Sequence, residues 1–173
     1  MNKNLVLTGM MGVGKSTIGR LIAKRLEMKF IDVDKVIENK EQKSIKQIFD
    51  DNGENYFRKL EEKITLKILK TNKTVVALGG GAFLNKEVRS KVLGSCVSVW
   101  LKVSLDKLIR RYNKNNKRPL LNKKKLDTDV KKIYQARKKI YSLANFKINC
   151  DNIDKAKIVE KLLDIYDNQS IKS

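Results

Sequence analysis

At 173 residues and 41% hydrophobic content, the chain is long enough to bury a core unaided and too apolar to be disordered. The absence of histidine excludes every His-based triad, metal site and proton shuttle, so a general base has to be a carboxylate or a lysine. A formal charge of +20 invites nucleic acid as a partner, but no basic run carries the regularly spaced aromatics of a single-strand surface. Biased use of Lys, Asn and Ile on solvated faces, with attraction for anionic substrates, is the plainer account, and nucleic acid is not expected as the main partner. No apolar run approaches the roughly 18 residues of a membrane span, and Met1 to Asn4 enters a strand without a signal-peptide pattern. A cytoplasmic location is expected, and Cys96 and Cys150, far apart and without C-x-x-C spacing, agree with it.

In chain order, Leu5–Leu7 is a short apolar strand, and Gly9-Met10-Met11-Gly12-Val13-Gly14-Lys15-Ser16-Thr17 follows it. Gly9, Gly14, Lys15 and Ser16 fill every fixed position of G-x-x-x-x-G-K-[ST]. Ile18, Leu21, Ile22, Arg25 and Leu26 then recur at helical spacing. Strand, glycine turn and helix start together form a phosphate cradle of inward N–H groups at the positive end of a helix dipole. Lys15 reaches the β- and γ-phosphates and Ser16 ligates Mg²⁺ in such a loop, so a nucleoside triphosphate is the expected ligand.

A second strand around Phe30-Ile31 leads into Asp32-Val33-Asp34. An extended segment would put both carboxylates on one side, one serving the metal and one the acceptor, unless Asp34 simply caps a helix over Lys35–Asn39. The later strands Val75–Leu78 and Val97–Leu101 do not end in an aspartate, which makes Asp32 the better metal candidate. Helical patterns follow at Ile45–Phe49 and from about Asn55 to Leu69, the latter with Leu60, Ile64 and Ile68 on one face. Arg58 opens the longer one and has two readings: an i,i+3 partner for Glu61, or a donor fork for a small carboxylate. Gly79-Gly80-Gly81 ends the third strand and lets a ligand approach the backbone, ahead of a helix near Lys86–Val92. Further helices are expected at Leu105–Tyr112, Val130–Ala144 and Ile158–Ile165, with a weaker strand at Phe146–Ile148 and a frayed tail after the last helix. Asn113 to Asp129, with Arg118-Pro119, reads as a basic lid loop that closes on substrate and excludes water. Alternating strands and helices predict an α/β fold with a parallel sheet whose ligands gather at the carboxyl ends of its strands.

The ordered set Gly9–Thr17, Asp32-x-Asp34, Phe57-Arg58-x-x-Glu61, Gly79-Gly80-Gly81, Arg118-Pro119-Leu120-Leu121 and Arg137 before Tyr141 resembles the shikimate kinase family. These are small P-loop proteins of the nucleoside monophosphate kinase type. The resemblance implies one domain over residues 1–173, a three-layer P-loop kinase fold with a five-stranded parallel sheet in the order 2-3-1-4-5, and a mobile lid over about 113–127. It implies MgATP-dependent phosphorylation of the 3-hydroxyl of shikimate, a step of aromatic amino-acid biosynthesis, with ATP and shikimate as partners; a monomer is expected, although the sequence does not fix the oligomeric state. Carried over residue by residue, Lys15 and Arg118 stabilise the transferring phosphoryl group, and Asp34 orients the attacking hydroxyl. Gly12, Val13, Gly14, Lys15, Ser16, Thr17, Arg111 and Arg118 bind ATP, with Asn149–Ile153 completing the adenine pocket. Ser16 and Asp32 hold Mg²⁺, Asp32 through water, while Asp34, Arg58, Gly80, Gly81 and Arg137 bind shikimate. The family's usual Arg-x-Pro-Leu-Tyr is Arg137-Lys138-Lys139-Ile140-Tyr141 here, which lacks the proline. A gluconate kinase-like enzyme, which would not need Arg58 and Arg137 together, is the competing assignment.

Overall fold

Five short segments pair in parallel: β1 (Asn4–Thr8), β2 (Lys29–Asp32), β3 (Thr74–Ala77), β4 (Cys96–Lys102) and β5 (Phe146–Asn149). The structure, a computed structural model, describes residues 3–114 and 126–171. The strand order is β2-β3-β1-β4-β5, as the family resemblance implied. Central β1 is registered with Leu5 opposite Val75 on one side and Val97 on the other. Leu5, Val6 and Leu7 are all fully buried although successive side chains point to opposite faces, so helices cover the sheet on both sides.

Parallel neighbours need crossovers, and helices supply them. These are α1 (Lys15–Arg25), α2 (Val33–Glu41), α3 (Ile45–Ile68), α4 (Lys86–Ser95), α5 (Leu105–Lys114), α6 (Leu126–Tyr141) and α7 (Lys155–Ile171). The two helical patterns expected at Ile45–Phe49 and Asn55–Leu69 are the halves of α3, hinged at Gly53. Gly53 has φ 79° and ψ 170°, a conformation essentially reserved for glycine. A capping box starts α3: Gln47 N–H donates to Ser44 Oγ at 3.3 Å, and Ser44 N–H donates back to Gln47 Oε1 at 2.9 Å.

Three expectations need correcting. Asp32-Val33-Asp34 is not extended, because α2 begins at Val33; Asp32 is its N-cap, accepting from Lys35 N–H at 3.4 Å, and Asp34 lies in its first turn. A capping aspartate that ends a strand starts the helix two residues earlier than a cap at Asp34 would. Helices take both ends of the loop expected over Asn113 to Asp129, since α5 runs to Lys114 and α6 starts at Leu126 with Asp127 and Asp129 in its first turn, where the helix dipole favours acids. The tail expected after the last helix is helical as far as Ile171.

Because all five strands are parallel, the loops after β1, β2 and β3 leave from the same edge of the sheet. They carry Gly9–Gly14, Asp32 to Asp34 and Gly79–Gly81 to one place. Among the described residues, no helix is long and apolar enough to cross a membrane.

Candidate active site

The loop from Gly9 to Gly14 owes its shape to glycine. Gly9, Gly12 and Gly14 all have positive φ, and a Cβ on Gly9 would meet the Leu101 carbonyl oxygen at 2.7 Å. Gly14 caps α1 in a left-handed conformation, leaving the helix's first N–H groups open toward a pocket of about 250 Å³. Gly12, Gly14, Lys15, Ser16 and Thr17 line this pocket on one side. Asp32, Asp34, Leu78 and Gly80 line it elsewhere. Val13 does not line it and is packed into the core.

Lys15 is buried and donates to the Gly9 and Met10 carbonyls, both at 2.9 Å. Ser16 Oγ donates to Asp32 Oδ2 at 2.5 Å, which brings a hydroxyl and a carboxylate oxygen together beside the lysine. Hard oxygen donors of this kind suit Mg²⁺, which characteristically takes one or two protein oxygens and completes its shell from phosphate and water. The donor set therefore fits the ion. Asp34 stands on the pocket wall, and burial raises its carboxyl above the ordinary value against the pull of the Lys15 charge.

The acceptor side is built around Gly79–Gly81. None of the three has positive φ; charged side chains crowd Gly79 and Gly81, and the Met11 backbone nitrogen would lie 3.3 Å from a Cβ on Gly80. A Cβ on Gly79 would lie 2.5 Å from Asp34 Oδ1 and 2.6 Å from Glu61 Oε1, and one on Gly81 would lie 2.2 Å from an Arg58 nitrogen. Arg58 makes the expected i,i+3 pair with Glu61 at 2.7 Å, but with Glu61 buried and not on a wet face; it also bonds Glu54 at 3.1 Å, and its guanidinium lies 5.2 Å from the Phe57 ring centre. It is also placed at the glycine loop, so the two readings are compatible. Arg137 donates to the Gly80 carbonyl at 3.0 Å. Arg111 donates to the Gly12 and Val13 carbonyls at 3.3 Å, on the outside of the phosphate loop. Arg118 and most of the expected lid lie outside the described residues.

Sequence reasoning treated Glu61 only as a partner for Arg58. Its side chain is 3% exposed and its Oε1 has no hydrogen-bond partner among the described residues, facing Gly79. The signal was present: Glu61 falls in the buried stripe Phe57, Leu60, Ile64, Ile68 of α3, and a charge in such a stripe calls for a reason. Burial pushes Glu61 above its ordinary value, outweighing the nearby Arg58.

The parallel sheet, the phosphate loop opening α1, and the facing Asp34 and Arg58 define a P-loop kinase. A family model described as shikimate kinase matches residues 11–167. Shikimate kinase from Sulfurihydrogenibium sp. (strain YO3AOP1) is 42% identical over 161 residues, 93% of this chain and 96% of that one. Shikimate kinase from Bartonella henselae is 39% identical over 162 residues, 94% of this chain and 77% of that one. In structure, shikimate kinase from Acinetobacter baumannii in complex with shikimate aligns with a TM-score of 0.89 at 27% identity, covering 96% of this chain and 94% of that one. The chain belongs to the shikimate kinase family.

Proposed function

We propose that this chain transfers the γ-phosphoryl group of ATP to the 3-hydroxyl of shikimate, giving shikimate 3-phosphate and ADP for aromatic amino-acid biosynthesis. One observation carries the reading: Asp34 lines the pocket of the phosphate loop, and Asp34, Arg137 and Arg58 meet the successive glycines Gly79, Gly80 and Gly81.

In this reading Lys15 leaves the Gly9 and Met10 carbonyls to meet the β- and γ-phosphates, while the N–H groups of Gly12 to Thr17 cradle them. Arg111 braces that loop from outside, and Arg118 adds positive charge at the transferring group. Ser16 and Asp32 hold Mg²⁺, which supplies charge neutralisation on the phosphates. Arg58 and Arg137 fix the shikimate carboxylate, and the Gly80 and Gly81 backbone lines its hydroxyl side. Asp34 accepts a hydrogen bond from the attacking hydroxyl and orients its oxygen toward phosphorus. Phosphoryl transfer needs positioning and charge neutralisation more than covalent help, and a chain without histidine supplies both.

An acceptor panel tests the carboxylate site. ADP release is expected with shikimate and not with gluconate or nucleoside monophosphates, and Arg58→Ala is expected to raise KM for shikimate about tenfold or more with a smaller change in kcat. Equal turnover of gluconate, or an unchanged KM in Arg58→Ala, would contradict the assignment.

A further inference from the structure

Two tyrosine hydroxyls outside the reacting set end on the backbones of the two glycine loops. Tyr112, on α5, donates to the Met11 carbonyl at 2.5 Å, and its ring lies 3.1 Å from where a Cβ on Gly12 would sit. Tyr141, the last residue of α6 and fully buried, donates to the Gly80 carbonyl, which also accepts from Arg137. Burial raises the Tyr141 phenol above its ordinary value, so its hydroxyl stays protonated and able to donate.

In a planar trans peptide the carbonyl and the following N–H point opposite ways. A hydroxyl that holds the Met11 carbonyl therefore also turns the Gly12 N–H to the far side of the peptide, and Gly12 lines the phosphate pocket. A hydroxyl on the Gly80 carbonyl does the same for the Gly81 N–H, at the loop that packs against Arg58. Tyr141 has a second effect. Without it Arg137 becomes the sole side-chain donor to Gly80 among the described residues, and a guanidinium drawn onto that carbonyl is less free for a substrate carboxylate.

We propose that Tyr112 and Tyr141 are positioning residues that divide the substrates between them, Tyr112 setting the loop that takes the triphosphate and Tyr141 the loop that takes the acceptor. The proposal rests on the phosphotransfer reading above.

Tyr112→Phe and Tyr141→Phe each remove one hydroxyl and keep the ring. Bisubstrate kinetics on the full chain give KM for ATP and for shikimate. Equilibrium binding is followed without turnover, by a fluorescent ADP analogue for the nucleotide and by Trp100 emission for shikimate. Trp100 is the chain's single tryptophan, and its ring centre is 6.1 Å from that of Tyr141. Tyr112→Phe is expected to raise KM for ATP about three- to tenfold and leave KM for shikimate within about twofold; Tyr141→Phe is expected to do the reverse. In both variants kcat should change less than the affected KM. Unchanged constants, or a parallel rise of both in either variant, would overturn the proposal. So would a fall of more than about 8 °C in the melting midpoint, which would assign the hydroxyl to the fold. Wild-type protein that binds the ADP analogue but turns over no shikimate refutes the phosphotransfer reading itself, before any variant is measured.

Discussion

Asp34 and Glu61 reach the same face of Gly79, and burial lifts both carboxyls above their ordinary values. They differ in what surrounds them. Asp34 faces Lys15 across the pocket, whereas Glu61 is paired with Arg58 through one oxygen and has the other unpartnered among the described residues. Lys15→Ala and Asp34→Ala are each expected to lower kcat by about 100-fold or more with the melting midpoint little changed, since positioned charges and hydrogen-bond partners commonly contribute that much. Near-wild-type turnover in Asp34→Ala would remove it from the reaction. For Glu61 the sign of the pH effect follows from the direction of its shift. A carboxyl raised above its unfolded value favours the fold while protonated, and loses that contribution as pH rises through the folded value. Glu61→Gln has no such loss, so its melting midpoint relative to wild type should climb from about pH 4 toward neutrality. A flat or falling difference in paired melts would show that the Arg58 pair outweighs burial.

At the scale of elements, the phosphate loop was fully legible because its spacing, the strand before it and the helix after it all agree. The start of α2 was not. Asp at the end of a strand suits both an extended run and an N-cap, and only the packed structure shows Asp32 as the cap with Asp34 on the first helical turn. Asp32 and Asp34 both line the pocket, although from a helix start and not from an extended run. The gap between the two helical patterns of α3 was legible, and the glycine-only conformation of Gly53, which the sequence reading did not single out, is the reason for it. The triple glycine was read as access for a ligand; the structure adds that Asp34, Glu61 and Arg58 crowd its backbone. Gly79→Ala should therefore displace Asp34 and Glu61 and lower kcat/KM for shikimate by about 100-fold. Nucleotide affinity should stay within about twofold, as read by binding of the fluorescent ADP analogue. Equal losses for both substrates would mean that the added methyl disturbs the phosphate loop as well.

Across the whole molecule, the alternation of strands and helices foretold a parallel sheet, and the family motifs supplied its order. What the sequence could not reveal were contacts between residues far apart in the chain, such as Arg111 on the phosphate loop and Tyr141 on Gly80, because no local pattern encodes them. The charge of +20 attracts anionic ligands from a distance but is screened within about 8 Å at physiological salt, so in the proposed function discrimination falls to the placed groups Arg58, Arg137 and the loop N–H donors. The most direct test of the central claim is a ³¹P NMR time course of the protein with MgATP and shikimate. The γ-phosphate signal of ATP is expected to give way to those of ADP and a phosphomonoester coupled to the proton at carbon 3 of shikimate. ADP with inorganic phosphate in place of the phosphomonoester, or ATP left intact, would contradict it.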